Sequence, residues 1–438
     1  MKYRAYFHPR KFLFFITLLS ISISPANAQD SLINYDEAKM PPYTLPDPLQ
    51  LLNGTHISTS KAWMKEQRPR MLQLFADNVY GRIPGKPKEL HFAVKTIDSF
   101  ALNGTAVRKE ITIFFTNASG PSMEALLYLP KSSAMPVPVF MGLNFYGNQT
   151  VSKDPGIDLS ERWAPNDEEK HIDNNKATDA SRGTDESRWP VEEIIKRGYG
   201  LMTAYYGDLE PDYPGGWKTG IRTSMKSALA INEQEWSAMS AWAWGLSRMM
   251  DYLETDRAVD AKKVVITGHS RLGKAALWAG ANDTRFAIVV SNNSGEGGAA
   301  LSRRWYGETI KIINTSFPHW FITKYKQYNE SPQLLPVDQH ILLALMAPRP
   351  LYVASAAADK WADPKGEFLS AKNAEPVYAL FGKKGLGVSE LPPVDHPVGE
   401  TIKYHIRNGK HDITLYDWKQ YLDFADIQFE KMKPKKSR

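Results

Sequence analysis

No cysteine occurs anywhere in the 438 residues. That excludes disulfides, thiol nucleophiles and any metal cluster built on thiolates. None of the ten histidines stands in an H-x-x-x-H pair, which argues against a zinc hydrolase of that type. A strong charge of one sign is also lacking. Four cations (Lys2, Arg4, Arg10 and Lys11) and no Asp or Glu fall in residues 1–28, so 29–438 hold 50 basic against 48 acidic residues. Such a balance gives no reason to expect a nucleic-acid partner. The basic tail at 431–438 reads as a solvated terminus. The apolar run at 12–23 is too short for a stable membrane span, and Pro25-Ala-Asn-Ala28 follows it. Basic start, apolar core and A-x-A end are the three parts of a secretory leader at 1–28. The mature chain then runs over 29–438 and is exported, to a bacterial periplasm or the medium. About 410 residues bury enough surface to fold without disulfides.

What the chain does contain is an alternation of strand and helix signals. Residues 30–53 read as a strapping segment, and 63–80 as a helix broken or kinked at Pro69. Residues 90–94, 107–115 and 123–129 read as antiparallel strands, with Asn103-Gly104 as a hairpin signal. The run 137–143 is a further strand, leading into the loop Asn144-Phe-Tyr-Gly-Asn148. Residues 151–189 are polar and without periodicity, a lid or binding rim unless the segment is disordered. Beyond it, helix signals at 191–197 and 233–254 alternate with strand signals at 199–206, 263–267, 287–291, 350–355 and 402–406. Trp236, Trp242 and Trp244 are read as core. The pattern predicts one α/β domain over 29–438, with an open, mostly parallel sheet flanked by helices in three layers.

The stretch Val264-Val-Ile-Thr-Gly-His-Ser-Arg-Leu-Gly-Lys274 is strand, sharp turn, serine, helix. That is the arrangement that exposes a nucleophile beside the backbone N–H groups of a helix N-terminus. Leu272 stands where the second glycine of G-x-S-x-G is expected, and Gly273 comes one residue later. A serine nucleophile needs a histidine base and a carboxylate to orient it. His411 follows the last strand signal and the turn Asn408-Gly409-Lys410, the place of the base in α/β-hydrolases. His405 falls inside the strand and reads as structural, and His319 sits in an aromatic stretch that lines a pocket or simply packs. For the acid, Asp359 after the strand at 350–355 has the favoured position, with Glu296 and Asp363 as alternatives.

These motifs resemble the glucuronoyl esterases, carbohydrate esterase family fifteen, and particularly their bacterial branch. The match rests on Gly268-His-Ser-Arg-Leu-Gly-Lys274, Ser294-Gly-Glu-Gly-Gly298, Arg303-Arg-Trp-Tyr-Gly-Glu308, Ala358-Asp-Lys-Trp361 and Gly409-Lys-His411. Their order and spacing extend it over nearly the whole mature chain. The resemblance implies an α/β-hydrolase that cleaves esters of glucuronic acid, as in xylan–lignin linkages. It implies Ser270 as nucleophile, His411 as base and Arg271 as the oxyanion-stabilising residue, with Lys274, Glu308 and Trp361 holding the uronate ring. Many members place the acid as Glu where this chain has Asn292-Asn293, and Glu296 is displaced by three residues. Some bacterial members use an Asp after the seventh strand, which points again to Asp359. Fungal members carry a cysteine beside the nucleophile, where this chain has His269.

Two other functions compete. A deacetylase acting on acetylated xylan would leave Arg271 and Lys274 without a clear role. A non-catalytic carbohydrate-binding protein on a hydrolase scaffold would have no need of both Ser270 and His411. A lipase is disfavoured because Arg162, Arg182 and Asp185 make the long insertion polar. No metal, cofactor, nucleic acid or membrane span after leader removal is expected; the partner is a uronate ester or glucuronoxylan, and the chain is expected to act as a monomer.

Overall fold

Burial that alternates along the central strands sets the architecture. In the computed structural model, Val264 and Ile266 pack into one apolar cluster and Val265 into a second; Val139 and Met141 divide from Phe140 in the same way. A period of two sends successive side chains to opposite faces, so these strands need a cover on both sides. The structure describes Met1 and residues 33–51, 53–131 and 135–432; the leader expected at 1–28, Met1 apart, and the tail beyond 432 lie outside the described residues. All that follows concerns the unit Asn34–Arg438.

Ten strands form the main sheet: β1 (His91–Asp98), β2 (Ala106–Phe114), β3 (Ser122–Pro130), β4 (Val137–Asn144), β5 (Gly200–Tyr205), β6 (Val259–His269), β7 (Ile288–Asn292), β8 (Leu351–Ala356), β9 (Val398–Gly399) and β10 (Ile402–Arg407). Their spatial order is β1-β2-β3-β5-β4-β6-β7-β8-β10-β9. The six strands from β5 to β10 in that order are parallel, an antiparallel meander adds β3, β2 and β1, and short β9 pairs antiparallel with β10. Helices α2 (Ala238–Leu253), α3 (Arg271–Asn282) and α4 (Pro364–Ala379) cover one face, and α1 (Val191–Lys196) and α5 (Leu415–Met432) the other. This is the three-layer, mostly parallel arrangement expected from the pattern, and it agrees with the α/β-hydrolase fold that the resemblance implies.

Several local expectations change. Asn103-Gly104 lies in the loop of the expected antiparallel hairpin of β1 and β2, but that loop is longer than two residues. The chain turns through Ala101–Gly104 with Leu102 and Asn103 in left-handed conformations, and it spends more residues between β1 and β2. The long helix starts at Ala238 rather than 233, because Ser237 caps it by accepting the Ser240 N–H. The helix does not break at Pro69 but is irregular there, the π turn Trp63–Gln67 giving way to the α-helical segment Arg68–Phe75. Pro69 sits at the start of that segment, where its missing N–H has least consequence. The insertion at 151–189 has little regular structure apart from a small hairpin (Ile172–Asp173 with Lys176–Ala177) and short 3-10 turns. Tyr146 donates to Asp167 at 2.8 Å, Tyr205 to the Trp163 carbonyl at 2.8 Å, and Arg182 to the Ile157 carbonyl at 2.6 Å.

Candidate active site

Strand β6 ends at His269, and α3 begins at Arg271, leaving one residue for the reversal. Ser270 makes it with φ 56° and ψ −130°, a strained conformation for any residue with a Cβ. Its N–H donates to the Asn292 carbonyl at the end of β7 (2.9 Å), and its carbonyl accepts the Gly273 and Lys274 N–H groups. Such a turn leaves no room at Gly268, where a Cβ would lie 2.1 Å from the Leu272 carbonyl oxygen. Gly273 is the second close approach: a Cβ there would lie 2.9 Å from the Gly268 oxygen and 3.1 Å from Ser294 Cβ. The glycine one residue late in the motif is therefore the one the packing needs.

Register brings the remaining groups to the same edge. His269 is opposite Asn292, Asn292 opposite Ala354, and Ala356 opposite Arg407, so β6, β7, β8 and β10 end together. Beyond those ends, the Ala357 N–H donates to the Arg407 carbonyl and the Ala358 N–H to the Gly409 carbonyl, each at 2.9 Å. This ties the segment carrying Asp359 to the one carrying His411. His411 Nδ1 lies 2.6 Å from Asp359 Oδ2. A carboxylate can only accept, so Nδ1 carries the proton and Nε2 is free to act as a base. The ring of His411 is 4.5 Å from that of His269, the residue before Ser270. Asp359 is buried, which by itself pushes its pKa up, but the hydrogen bond and charge of His411 and the amide of Asn293 (2.7 Å) hold it below its ordinary value.

Arg407, not singled out from the sequence, braces this loop. Arg407 donates to the carbonyls of Asn408, Lys410 and Asp412 at 2.6–2.9 Å, and to Asp417 at 2.8 Å. It therefore fixes the turn on which His411 stands. His405 is fully buried between Tyr352 and Asp417, as a structural histidine would be.

Arg271 opens α3, and its guanidinium faces Phe145, Phe317 and Trp320, with ring centroids at 5.6, 5.8 and 5.0 Å. Its Nη1 donates to Asp212, a residue not singled out from the sequence. Asp212 also accepts from His319 Nε2 (2.7 Å), Trp320 Nε1 (2.6 Å) and Tyr206 Oη (3.0 Å). Burial would raise the Asp212 pKa, but His319 and Arg271 carry it far below the carboxylate range. The signal for Asp212 was its place just past β5, on the edge where the other groups collect.

Lys274 is buried, with Nζ 3.0 Å from Glu308 Oε2 and 2.6 Å from the Glu296 carbonyl. The Glu308 N–H in turn donates to the carbonyl of half-buried Trp361 at 2.9 Å. The three residues implied for the uronate ring thus adjoin one another. Glu296 does not reach His411. Its Oε1 accepts from Tyr325, from Ser302 (2.8 Å) and from the Gly297 N–H (2.9 Å), and burial lifts its pKa to about 8. Asp363 is also turned elsewhere: it caps α4 and pairs with Arg304 at 2.7 Å.

Residues 228–382 match the sequence model of fungal glucuronyl esterases. The chain is 48% identical to the carbohydrate esterase MZ0003 of an unknown prokaryotic organism, over 91% of this chain and 93% of that protein. It superposes on a solved glucuronoyl esterase from Solibacter usitatus with a TM-score of 0.84 at 51% identity, covering 90% of this chain and 100% of that one. It is 25% identical to a 4-O-methyl-glucuronoyl methylesterase of Cerrena unicolor, over 82% of this chain and 64% of that protein.

Proposed function

The chain belongs to the glucuronoyl esterases of carbohydrate esterase family 15, and on that premise we propose that Ser270, His411 and Asp359 cleave uronate esters through an acyl-enzyme. As a member it is a carboxylic ester hydrolase acting on esters of uronic acids. The observation that carries the assignment of roles is the His411–Asp359 contact of 2.6 Å beside the strained serine turn. Ser270 Oγ attacks the C6 carbonyl while His411 Nε2 takes its proton. Asp359 keeps the imidazole in the right tautomer and stabilises the imidazolium. Arg271 offers a fixed cation to the oxyanion, where a donor of this kind contributes about 3 kcal/mol of transition-state stabilisation. His411 then protonates the leaving alcohol, and water attacks the acyl-enzyme along the same path in reverse.

Lys274 and Glu308 supply an ammonium and a carboxylate 3.0 Å apart, a pair suited to vicinal hydroxyls of the uronate, with Trp361 against the ring. We propose glucuronoxylan esterified to lignin alcohols as the polymer acted on. We propose export to the periplasm or the medium on the basic start, apolar core and A-x-A end at 1–28. Among the described residues no helix is long and apolar enough to cross a membrane.

Hydrolysis of benzyl glucuronate and of acetylated xylan, side by side, tests the choice of ester. The expected outcome is release of benzyl alcohol without release of acetate. Acetate release as the main activity would put the sugar on the alcohol side of the ester and favour the deacetylase.

A further inference from the structure

We infer that Asp212 is the positioning residue of the oxyanion site: it holds the Arg271 guanidinium aimed at the reacting carbonyl before substrate arrives. This rests on the assignment of Arg271 to the oxyanion. Four donors converge on the Asp212 carboxylate from three separate segments: Tyr206 just after β5, Arg271 at the start of α3, and His319 with Trp320 in the aromatic stretch. Donors on both oxygens fix the carboxylate in rotation as well as in place. The carboxylate is itself buried.

Arg271 has no comparable anchor of its own. Among the described residues Asp212 is its one side-chain hydrogen-bond partner, and the rings around it constrain the plane of the guanidinium but not its direction. Its Nε is buried without a partner. With Nη1 held, the remaining fork of the guanidinium is set in one direction. A cation so held stabilises developing charge without reorganising during the reaction, which is the condition for a large effect on the chemical step. Asp212 also supplies the counter-charge without which a largely buried guanidinium would be costly.

An Asn at 212 keeps the shape but presents an amide N–H₂ to donors that need acceptors, and it removes the charge. Asp212→Asn is therefore expected to lower kcat on benzyl glucuronate by roughly 10- to 100-fold, less than loss of the oxyanion donor itself, with KM within about threefold. Arg271→Ala alone is expected to lower kcat by about 100- to 1,000-fold. In the Arg271→Ala background, Asp212→Asn adds less than about twofold, because the group it acts through is gone. Tyr206→Phe removes one donor from Asp212 and leaves the Arg271–Asp212 hydrogen bond in place. It serves if the Asn variant fails to fold, with a fall of roughly 2- to 10-fold expected in the wild-type background and none in Arg271→Ala. The inference is overturned if Asp212→Asn, or Tyr206→Phe in its stead, leaves kcat unchanged or costs the same factor in both backgrounds. If Arg271→Ala itself leaves kcat unchanged, the assignment of Arg271 is what fails.

Discussion

At the scale of single residues, the carboxylate that faces His411 is Asp359. Asp359 and Glu296 are both buried carboxylates on loops past the ends of parallel strands, and position along the chain favours Asp359. Their partners separate them. Asp359 touches His411 and Asn293, whereas Glu296 is enclosed by Tyr325, Ser302 and the Gly297 N–H. Asn293 stands where many relatives of the resembled family are expected to carry a Glu, and here it donates to the Asp instead. Asp359→Asn should reduce kcat on benzyl glucuronate by a factor on the order of 10⁴, since an amide can stabilise the wrong imidazole tautomer and no imidazolium. Glu296→Gln should keep kcat within about fivefold, because the glutamine oxygen can accept the same three hydrogen bonds and His411 is untouched. Steady-state kinetics on the two purified variants give the comparison. An Asp359→Asn enzyme of near wild-type rate would remove Asp359 from the triad.

The strand–turn–helix element from β6 to α3 does more than present Ser270. It places the serine on a strained turn, directs two N–H groups back onto the serine carbonyl, and starts the helix that carries Arg271 and Lys274. Gly268 permits that path. Gly268→Ala places a methyl 2.1 Å from the Leu272 oxygen, so the turn must open. The expected loss is about 1–3 kcal/mol in denaturant melts, with a fall in kcat larger than in stability-matched core variants. Unchanged kinetics in Gly268→Ala would mean that the strained turn is dispensable. This element was also the most legible part of the sequence, because a buried strand, a glycine and an amphipathic helix each leave a local pattern. His411 and Asp359 were legible from their order along the chain. Asp212 and Arg407 were not: Asp212 acts through partners far away in sequence, with only its place after β5 to mark it, and Arg407 braces its own neighbours from Asn408 to Asp417, across a loop without periodicity. Asn103-Gly104 marked the hairpin of β1 and β2 through its local preference for positive φ, without fixing how many residues the loop uses.

The whole molecule folds without disulfides around buried carboxyls as well as apolar layers. Burial pushes Glu296 and Glu367 up to about 8 and Asp208 to about 7, partly offset by the hydrogen bonds each receives. In the unfolded chain these groups ionise at ordinary carboxylate values, so between pH 5 and 8 the folded state holds more protons. Stability from each is fully present below the unfolded pKa and is lost as pH rises through the folded one. Each group contributes a slope of at most about 1.4 kcal/mol per pH unit within its window. Melting temperature should therefore fall as pH rises from about 5 to 8, and Glu296→Gln should flatten that fall. A Glu296→Gln protein with the same pH dependence as wild type would show that Glu296 is ionised throughout. Turnover of benzyl glucuronate by Ser270→Ala against wild type tests the acyl-enzyme on Ser270. The expected result is a drop in kcat of about 10⁴- to 10⁶-fold with the melting temperature preserved; turnover within tenfold of wild type would contradict it.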